Sequence, residues 1–198
     1  RVCSACHSFR SHPEMCLRVK RRMKNLLAHN FYGSSSPSGE NEVFQAEMNL
    51  LRERGHDIVA FTRHSDEIRG RGTFGVLQGA LATPWNPFSA AKMRRVMRRE
   101  RPDVLHVHNF FPLLSPAVFH AAAGSETATV MTLHNYRLFC AAGIPMRNGR
   151  PCTLCLDRKS AVPALRFGCY RSSRIATAPM VLMIALHRGI HTWSRHVD

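Results

Sequence analysis

Residues 23–62 read MKNLLAHNFYGSSSPSGENEVFQAEMNLLRERGHDIVAFT. The apolar run that opens at Met23 suits a buried strand. The cluster of Gly, Ser and Pro from Gly33 to Gly39 interrupts it and must be a loop. Val43, Phe44, Met48, Leu50 and Leu51 then recur at mostly helical spacing, and Gly55 suits the turn that ends a helix. HDIVAFT, residues 56–62, is the next strand. Strand, loop, helix, strand is a βαβ unit, and its strands must be parallel.

The pattern repeats downstream. Residues 63–88 read as irregular, with Gly70, Gly72, Gly75 and Gly79 ahead of TPWNPF. A helix is expected over 90–101, stopped by Pro102. A third strand is expected over 103–109 (DVLHVHN), then a loop, a short helix over 117–123 and a fourth strand over 128–135 (ATVMTLHN). Residues 136–172 are rich in Cys and Arg and show no strand. A long helix follows over about 173–195. Alternation at this pace predicts an α/β fold: a Rossmann-like, doubly wound parallel sheet over 23–198, with a Cys-rich insert at 136–172 and a long C-terminal helix. Residues 1–22 lack a clean period and read as a disordered leader or upstream sequence.

Twenty-eight basic residues, 24 of them Arg, face 13 acidic ones, for a formal charge of +15. Such a surface attracts phosphates, nucleic acid or anionic lipid; a coding preference for Arg produces the same count. The basic residues are spread over several segments, which counts against nucleic acid. The longest apolar stretch, ATAPMVLMIAL from Ala176 to Leu186, is short of the roughly 18 residues a membrane span needs. It reads as a core-facing or membrane-surface helix. No secretory signal is visible. The expected location is the cytoplasm, with peripheral contact at the inner membrane surface.

Three strands end in polar, hydrogen-bonding side chains: His29-Asn30, His106 with His108-Asn109, and His134-Asn135. In an open parallel sheet these positions face the ligand crevice. Histidine there can bind phosphate or sugar hydroxyls or move a proton near neutral pH. His106 and His108 are expected on opposite sides of their strand, one of them a satisfied core residue. The loop PSGEN, residues 37–41, leads into a helix whose amides suit an anion. It lacks both GxGxxG and the Gly-Lys-Ser/Thr of a phosphate loop.

Residues 23–67, RPDVLHVHNFFPLLSPAVFHAA (101–122) and TVMTLHNYRLFC (129–140) together resemble the amino-terminal half of retaining GT-B glycosyltransferases of family 4, including that family's "PDVVHVHN" and "TLHNYR" segments. The resemblance extends over 23–198. It implies two Rossmann-like domains around a cleft, the amino-terminal one binding the acceptor and the carboxyl-terminal one a nucleotide sugar. It also implies transfer with retention and without a catalytic metal. By the same resemblance, Gly39 and Glu40 lie near the donor phosphates and the acceptor. His134, the candidate catalytic residue, approaches the transferred sugar. Asn135 stands where many relatives have Asp, and His108 and Asn109 are candidates for acceptor contacts. Ser38 departs from the usual Gly. The expected partners are a nucleotide-sugar donor and a glycan or lipid-linked acceptor. No donor-binding domain is recognisable, so the chain reads as a fragment, inactive alone. Two alternatives are a basic zinc-containing nucleic-acid module and a non-catalytic partner of a separate donor-domain chain. The regular βαβ succession and the lack of aromatic stacking platforms favour the glycosyltransferase.

Seven cysteines remain. Cys3, Cys6 and Cys16 fall in the leader, where one CxxC has no second pair nearby. The other four are spaced Cys140-x11-Cys152-x2-Cys155-x13-Cys169. A CxxC with such outer spacings suits a structural Zn²⁺, or an iron–sulfur cluster. Two disulfides, or buried free thiols, are the other readings. Arg147, Arg150, Arg158 and Lys159 are expected to lower the thiol pKa values. Because the insert follows His134 closely, it should form a rim of the cleft.

Overall fold

A computed structural model describes residues 22–34 and 38–198. The leader up to residue 21, with Cys3, Cys6 and Cys16, lies outside the described residues. Strands β1 (Lys24–Phe31), β2 (Asp57–His64), β3 (Val104–Asn109) and β4 (Ala128–Met131) form one parallel sheet in the order β2-β1-β3-β4. The central strand β1 is buried from Asn25 to Asn30. It therefore reads as a continuous apolar run and not as an alternation. Helix α1 (Gly39–Glu53) carries the chain from β1 to β2. The next crossing passes to the other side of β1, so the connection reverses between β1 and β3. That reversal is the topological switch point, where a parallel sheet opens its ligand crevice.

The expected Rossmann-like α/β architecture is therefore present, with local differences. Residues 63–88 are not irregular: they hold α2 (Asp66–Arg69) and α3 (Gly72–Ala82). Their glycines mark close packing. A Cβ at Gly75 would collide with the Ile68 carbonyl oxygen, and one at Gly79 would press on the Ile68 side chain. Strand β4 stops at Met131, four residues short of the expectation, because only Ala128–Met131 pair with β3. His134 and Asn135 thus stand on a loop. The insert contains a small hairpin, β5 (Met146–Arg147) and β6 (Arg150–Pro151), followed by α5 (Leu154–Asp157) and α6 (Val162–Phe167).

The expected long C-terminal helix is present as α7 (Arg174–Gly189), and a short α8 (Thr192–Arg195) follows where His191 takes a left-handed φ of 57°. The aliphatic face of α7 is a core face, since Met180, Met183 and Ile184 are buried. Its opposite side leaves Ile175 and Leu182 87% and 58% exposed. A second exposed apolar stripe lies on α3, where Phe74, Leu77 and Leu81 are 65%, 56% and 68% exposed. Beyond α8, Asp198 donates its N–H to the Thr129 carbonyl and accepts from the Thr129 N–H, occupying the outer edge of β4.

Helix α4 (Pro87–Glu100) bridges sheet and crevice. Pro87 takes its first position, and the Asn86 side chain caps it by accepting from Phe88 N–H and Ser89 N–H, each at 3.1 Å. The other end of the same buried amide donates to the Leu113 carbonyl at 2.6 Å, and its backbone N–H donates to Ser115 Oγ. Asn86→Ala removes a cap, worth about 1 kcal/mol, while the Leu113 carbonyl keeps the hydrogen bond that the Ser89 hydroxyl donates at 2.8 Å. Urea unfolding should register a loss of about 1–2 kcal/mol, with an unchanged slope.

Candidate functional site

The crevice is built on the ends of β1 and β3. Their register shifts between Ala28 and His29: Ala28 pairs with Val107, and His29 with Asn109. His108 is the extra residue, a bulge of the kind that re-aims side chains beside active sites. Two asparagines lock this irregular end. Asn109 Nδ2 donates to the Asn30 carbonyl at 2.9 Å, and Asn30 Oδ1 accepts from Leu113 N–H at 3.1 Å. Asn30 Nδ2 in turn donates to Ser65 Oγ, which ties in the end of β2.

His106 and His108 share a side, contrary to the expectation of opposite faces. Residues two apart on a strand face the same way, and both imidazoles turn towards α1. His106 Nδ1 lies 2.7 Å from Glu47 Oε1, and His108 Nε2 lies 3.5 Å from Glu47 Oε2. His106 Nε2 meets Thr132 Oγ1 at 2.7 Å. His108 Nδ1 faces His134 Nε2 at 3.3 Å, with the rings stacked at 5.5 Å.

Burial, reinforced by the neighbouring His106, His134 and His29, pushes the His108 pKa down to about 3. His108 is therefore neutral at pH 7 and carries one N–H. A carboxylate can only accept, but Nε2 faces Glu47 across a contact longer than a good hydrogen bond. His108 Nε2 is buried without a hydrogen-bond partner, so Glu47 acts on it only as a nearby charge.

A second cluster lies beside it. Asn135 Nδ2 donates to Glu40 Oε1 at 2.9 Å, and Asn135 Oδ1 accepts from Arg137 N–H at 3.0 Å. The Tyr32 hydroxyl interacts with both Glu40 and Arg137, and burial pushes its pKa up. The Arg137 guanidinium stacks over Phe111 at 4.5 Å, and its Nε is buried without a hydrogen-bond partner. His108, Asn109, His134, Asn135, Arg137 and Leu138 line one cleft. Behind it His29 stacks on Phe44 and donates from Nε2 to Asn41 Oδ1, and burial lowers its pKa.

Gly39 opens α1 with nothing within 4 Å of where a Cβ would stand. Internal packing does not demand glycine there, so space is left beside the helix start. Glu40 and Glu42 already occupy the first turn, and these carboxylates compete with an external anion for the helix dipole.

Of the residues marked from the sequence, His108, Asn109, His134 and Asn135 meet in one cleft. Glu40 reaches it through Asn135, and Gly39 stands at the adjoining helix start. Three contributors went unmarked. Glu47 sits on the α1 face turned to β3, Arg137 lies within the TLHNYR segment itself, and Tyr32 ends the first strand's run. Their positions beside marked residues were the available signal.

The family model for Glycosyltransferase Family 4 matches residues 39–175, more than half of the chain. The chain belongs to Glycosyltransferase Family 4. No curated protein and no solved structure matches it. In this family 4 member the match covers the end of β3, the Asn135–Arg137 loop and the cysteine insert.

Two groups bear on metals. Among the described residues, the only His/Cys/Asp/Glu set with ligand atoms all within 4.8 Å of one another is Glu47, His106 and His108. The 2.7 Å contact joins Glu47 to His106, while His108 Nε2 is buried without a hydrogen-bond partner. The four described cysteines are free thiols. Burial raises the pKa values of Cys155 and Cys169, with the other thiols adding to the effect; Arg147 alone opposes it at Cys169, and more weakly. The expected lowering by the basic neighbours is thus reversed at these two positions, because desolvation of an unpaired thiolate outweighs distant, solvated guanidinium groups.

A pH test follows. His108 is depressed in the folded state, so the unfolded chain binds the proton first as pH falls. Its contribution to stability is complete above about pH 6.5 and is lost progressively towards pH 3. His29 and His187 act in the same direction, and His120, lowered to about 4, joins them. Unfolding free energy should fall from pH 6 to pH 4. In His108→Gln that slope should be shallower by about 1.4 kcal/mol per pH unit, one proton's worth, in urea titrations at successive pH values.

Proposed function

We propose that this chain is the acceptor-side half of a retaining GT-B glycosyltransferase that moves a sugar from a nucleotide-sugar donor to a glycan or lipid-linked acceptor. The observation that supports this reading is His134, whose Nε2 meets His108 Nδ1 at 3.3 Å at the carboxyl end of a family 4 sheet. Its Nδ1 hydrogen-bonds a sugar hydroxyl and so orients the sugar. It serves as a positioning group and not as a general base.

Departure of the leaving group builds negative charge on a nucleoside diphosphate, and preorganised donors must meet that charge. Arg137 is the cation of the cleft, and its unpaired Nε is available for this purpose. The remaining donors come from a second, nucleotide-binding half, supplied in the same polypeptide or by a partner chain. The chain alone is then expected to bind acceptor without turnover. With the donor-binding half present, His134→Ala should lower kcat/KM about 10²-fold or more while leaving the fold, followed by circular dichroism, unchanged. Equal transfer by wild type and variant removes the assignment.

The acceptor reading has its own support. Helix α3 carries no charge, and its exposed Phe74, Leu77 and Leu81 lie on one stripe of a strongly basic protein. Such a surface suits the interface of an anionic membrane, where a lipid-linked acceptor resides. The chain should co-sediment with phosphatidylglycerol vesicles and not with phosphatidylcholine ones. Leu77→Asp combined with Leu81→Asp should abolish that binding.

A further inference from the structure

The glycosyl-transfer reading makes no use of the cysteine insert. Its four thiols come from four segments. Cys140 closes the turn after the His134–Arg137 loop and donates its S–H to the Ile144 carbonyl at 3.4 Å. Cys152 follows the β5–β6 hairpin, and its N–H donates to the Pro145 carbonyl at 2.9 Å. That bond brings the end of the hairpin back beside the Cys140 turn. Cys155 lies one turn further on, in α5. Cys169 follows α6, with its N–H on the Ala164 carbonyl, and α5 packs against α6. The result is convergence: Cys155 is within electrostatic range of Cys140, Cys169 and Cys152, and Cys169 of Cys140 and Cys152. Cys155 and Cys169 also back onto the hydrophobic core.

A second observation points into the cluster. Arg147 on β5 packs its guanidinium over Phe167 at 4.1 Å, yet its Nε is buried with no hydrogen-bond partner. The same side chain interacts electrostatically with Cys169. A buried guanidinium N–H beside thiols is a donor waiting for an anionic sulfur. Neutral thiols supply none, and a metal–thiolate cluster does. Four thiolates around one Zn²⁺ carry a net charge of −2, which Arg147 would partly offset.

We infer that Cys140, Cys152, Cys155 and Cys169 form a structural tetrathiolate zinc site that closes the rim of the cleft. Four Cys thiols and one Zn²⁺ give the tetrathiolate complex and release four protons; no oxidant is required. No three of the four sulfurs lie within 4.8 Å of one another, so binding must draw them in to zinc–sulfur bonds of about 2.3 Å. Such a site contributes directly to folding. Its consequence for the cleft is mechanical. The Tyr136 N–H donates to the Gly143 carbonyl and the Cys140 N–H to the Tyr136 carbonyl, so anchoring Cys140 anchors the loop that carries Asn135 and Arg137. Nothing in this assignment depends on which reaction the cleft performs.

The test is metal analysis by plasma mass spectrometry of the whole chain, purified under reducing conditions. About one zinc per chain is expected. It should persist when Cys3, Cys6 and Cys16 are replaced by Ser, and be lost in Cys152→Ser and Cys155→Ser. Because those variants could fail to fold, the protein with Cys3, Cys6 and Cys16 replaced by Ser is also titrated with a mercurial, following zinc with a chromogenic chelator. Release should complete at four thiol equivalents per zinc and be accompanied by a lower melting temperature. A metal-free chain with four titratable thiols or two disulfides at these positions overturns the assignment. So does stoichiometric iron with visible absorbance, which would make the site an iron–sulfur cluster.

Discussion

Two buried asparagines hold together the place where the sheet changes direction. Asn30 and Asn109 cap the ends of β1 and β3, and between them they satisfy the Asn30 carbonyl, the Leu113 amide and Ser65. A regular parallel ladder would pair these backbone groups automatically, but the register shift at His29 prevents it. Buried groups left unpaired cost about 1–3 kcal/mol each, so the side chains must replace the missing ladder. The bulge that they stabilise places His108 between the strands, and His108 in turn reaches both Glu47 and His134. The crevice geometry therefore rests on amide hydrogen bonds and not on apolar packing alone.

From that point the chemistry spreads along one line. Glu47 on α1, His108 on β3 and His134 on the loop after β4 belong to three segments far apart in sequence. Desolvation keeps His108 neutral, so its one N–H lies either on the Glu47 side or on the His134 side. A second line, Glu40–Asn135–Arg137, runs parallel to it. Both end on the same six-residue loop, whose far side is Cys140. The insert is thus coupled to the cleft through a short, hydrogen-bonded stretch.

Much of this was legible in the sequence, and the misses have separate physical causes. The glycines at 75 and 79 looked like helix breakers, yet they are where α3 presses on Ile68; single-residue propensity yields to packing. The end of β4 was read too long because TLHN continues an apolar alternation, whereas strand length depends on a partner, and β3 offers β4 only four paired positions. His106 was assigned the wrong side, although a period of two would have put it beside His108. The cysteine environment looked basic in sequence, but the nearest influences on Cys155 and Cys169 are burial and one another.

The sequence by itself determined the parallel α/β class, the four strands in order, and the polar residues that end β1 and β3 and follow β4. Hydrophobic period and turn residues are local properties, and strand ends follow from both. The tertiary structure decided which of those polar residues meet. The β2-β1-β3-β4 order, the bulge at His108 and the fold of the insert bring Glu47 to His108 and gather four thiols from four segments. Contacts of that kind depend on strand order and burial, which are properties of the whole sheet and not of any window along the chain.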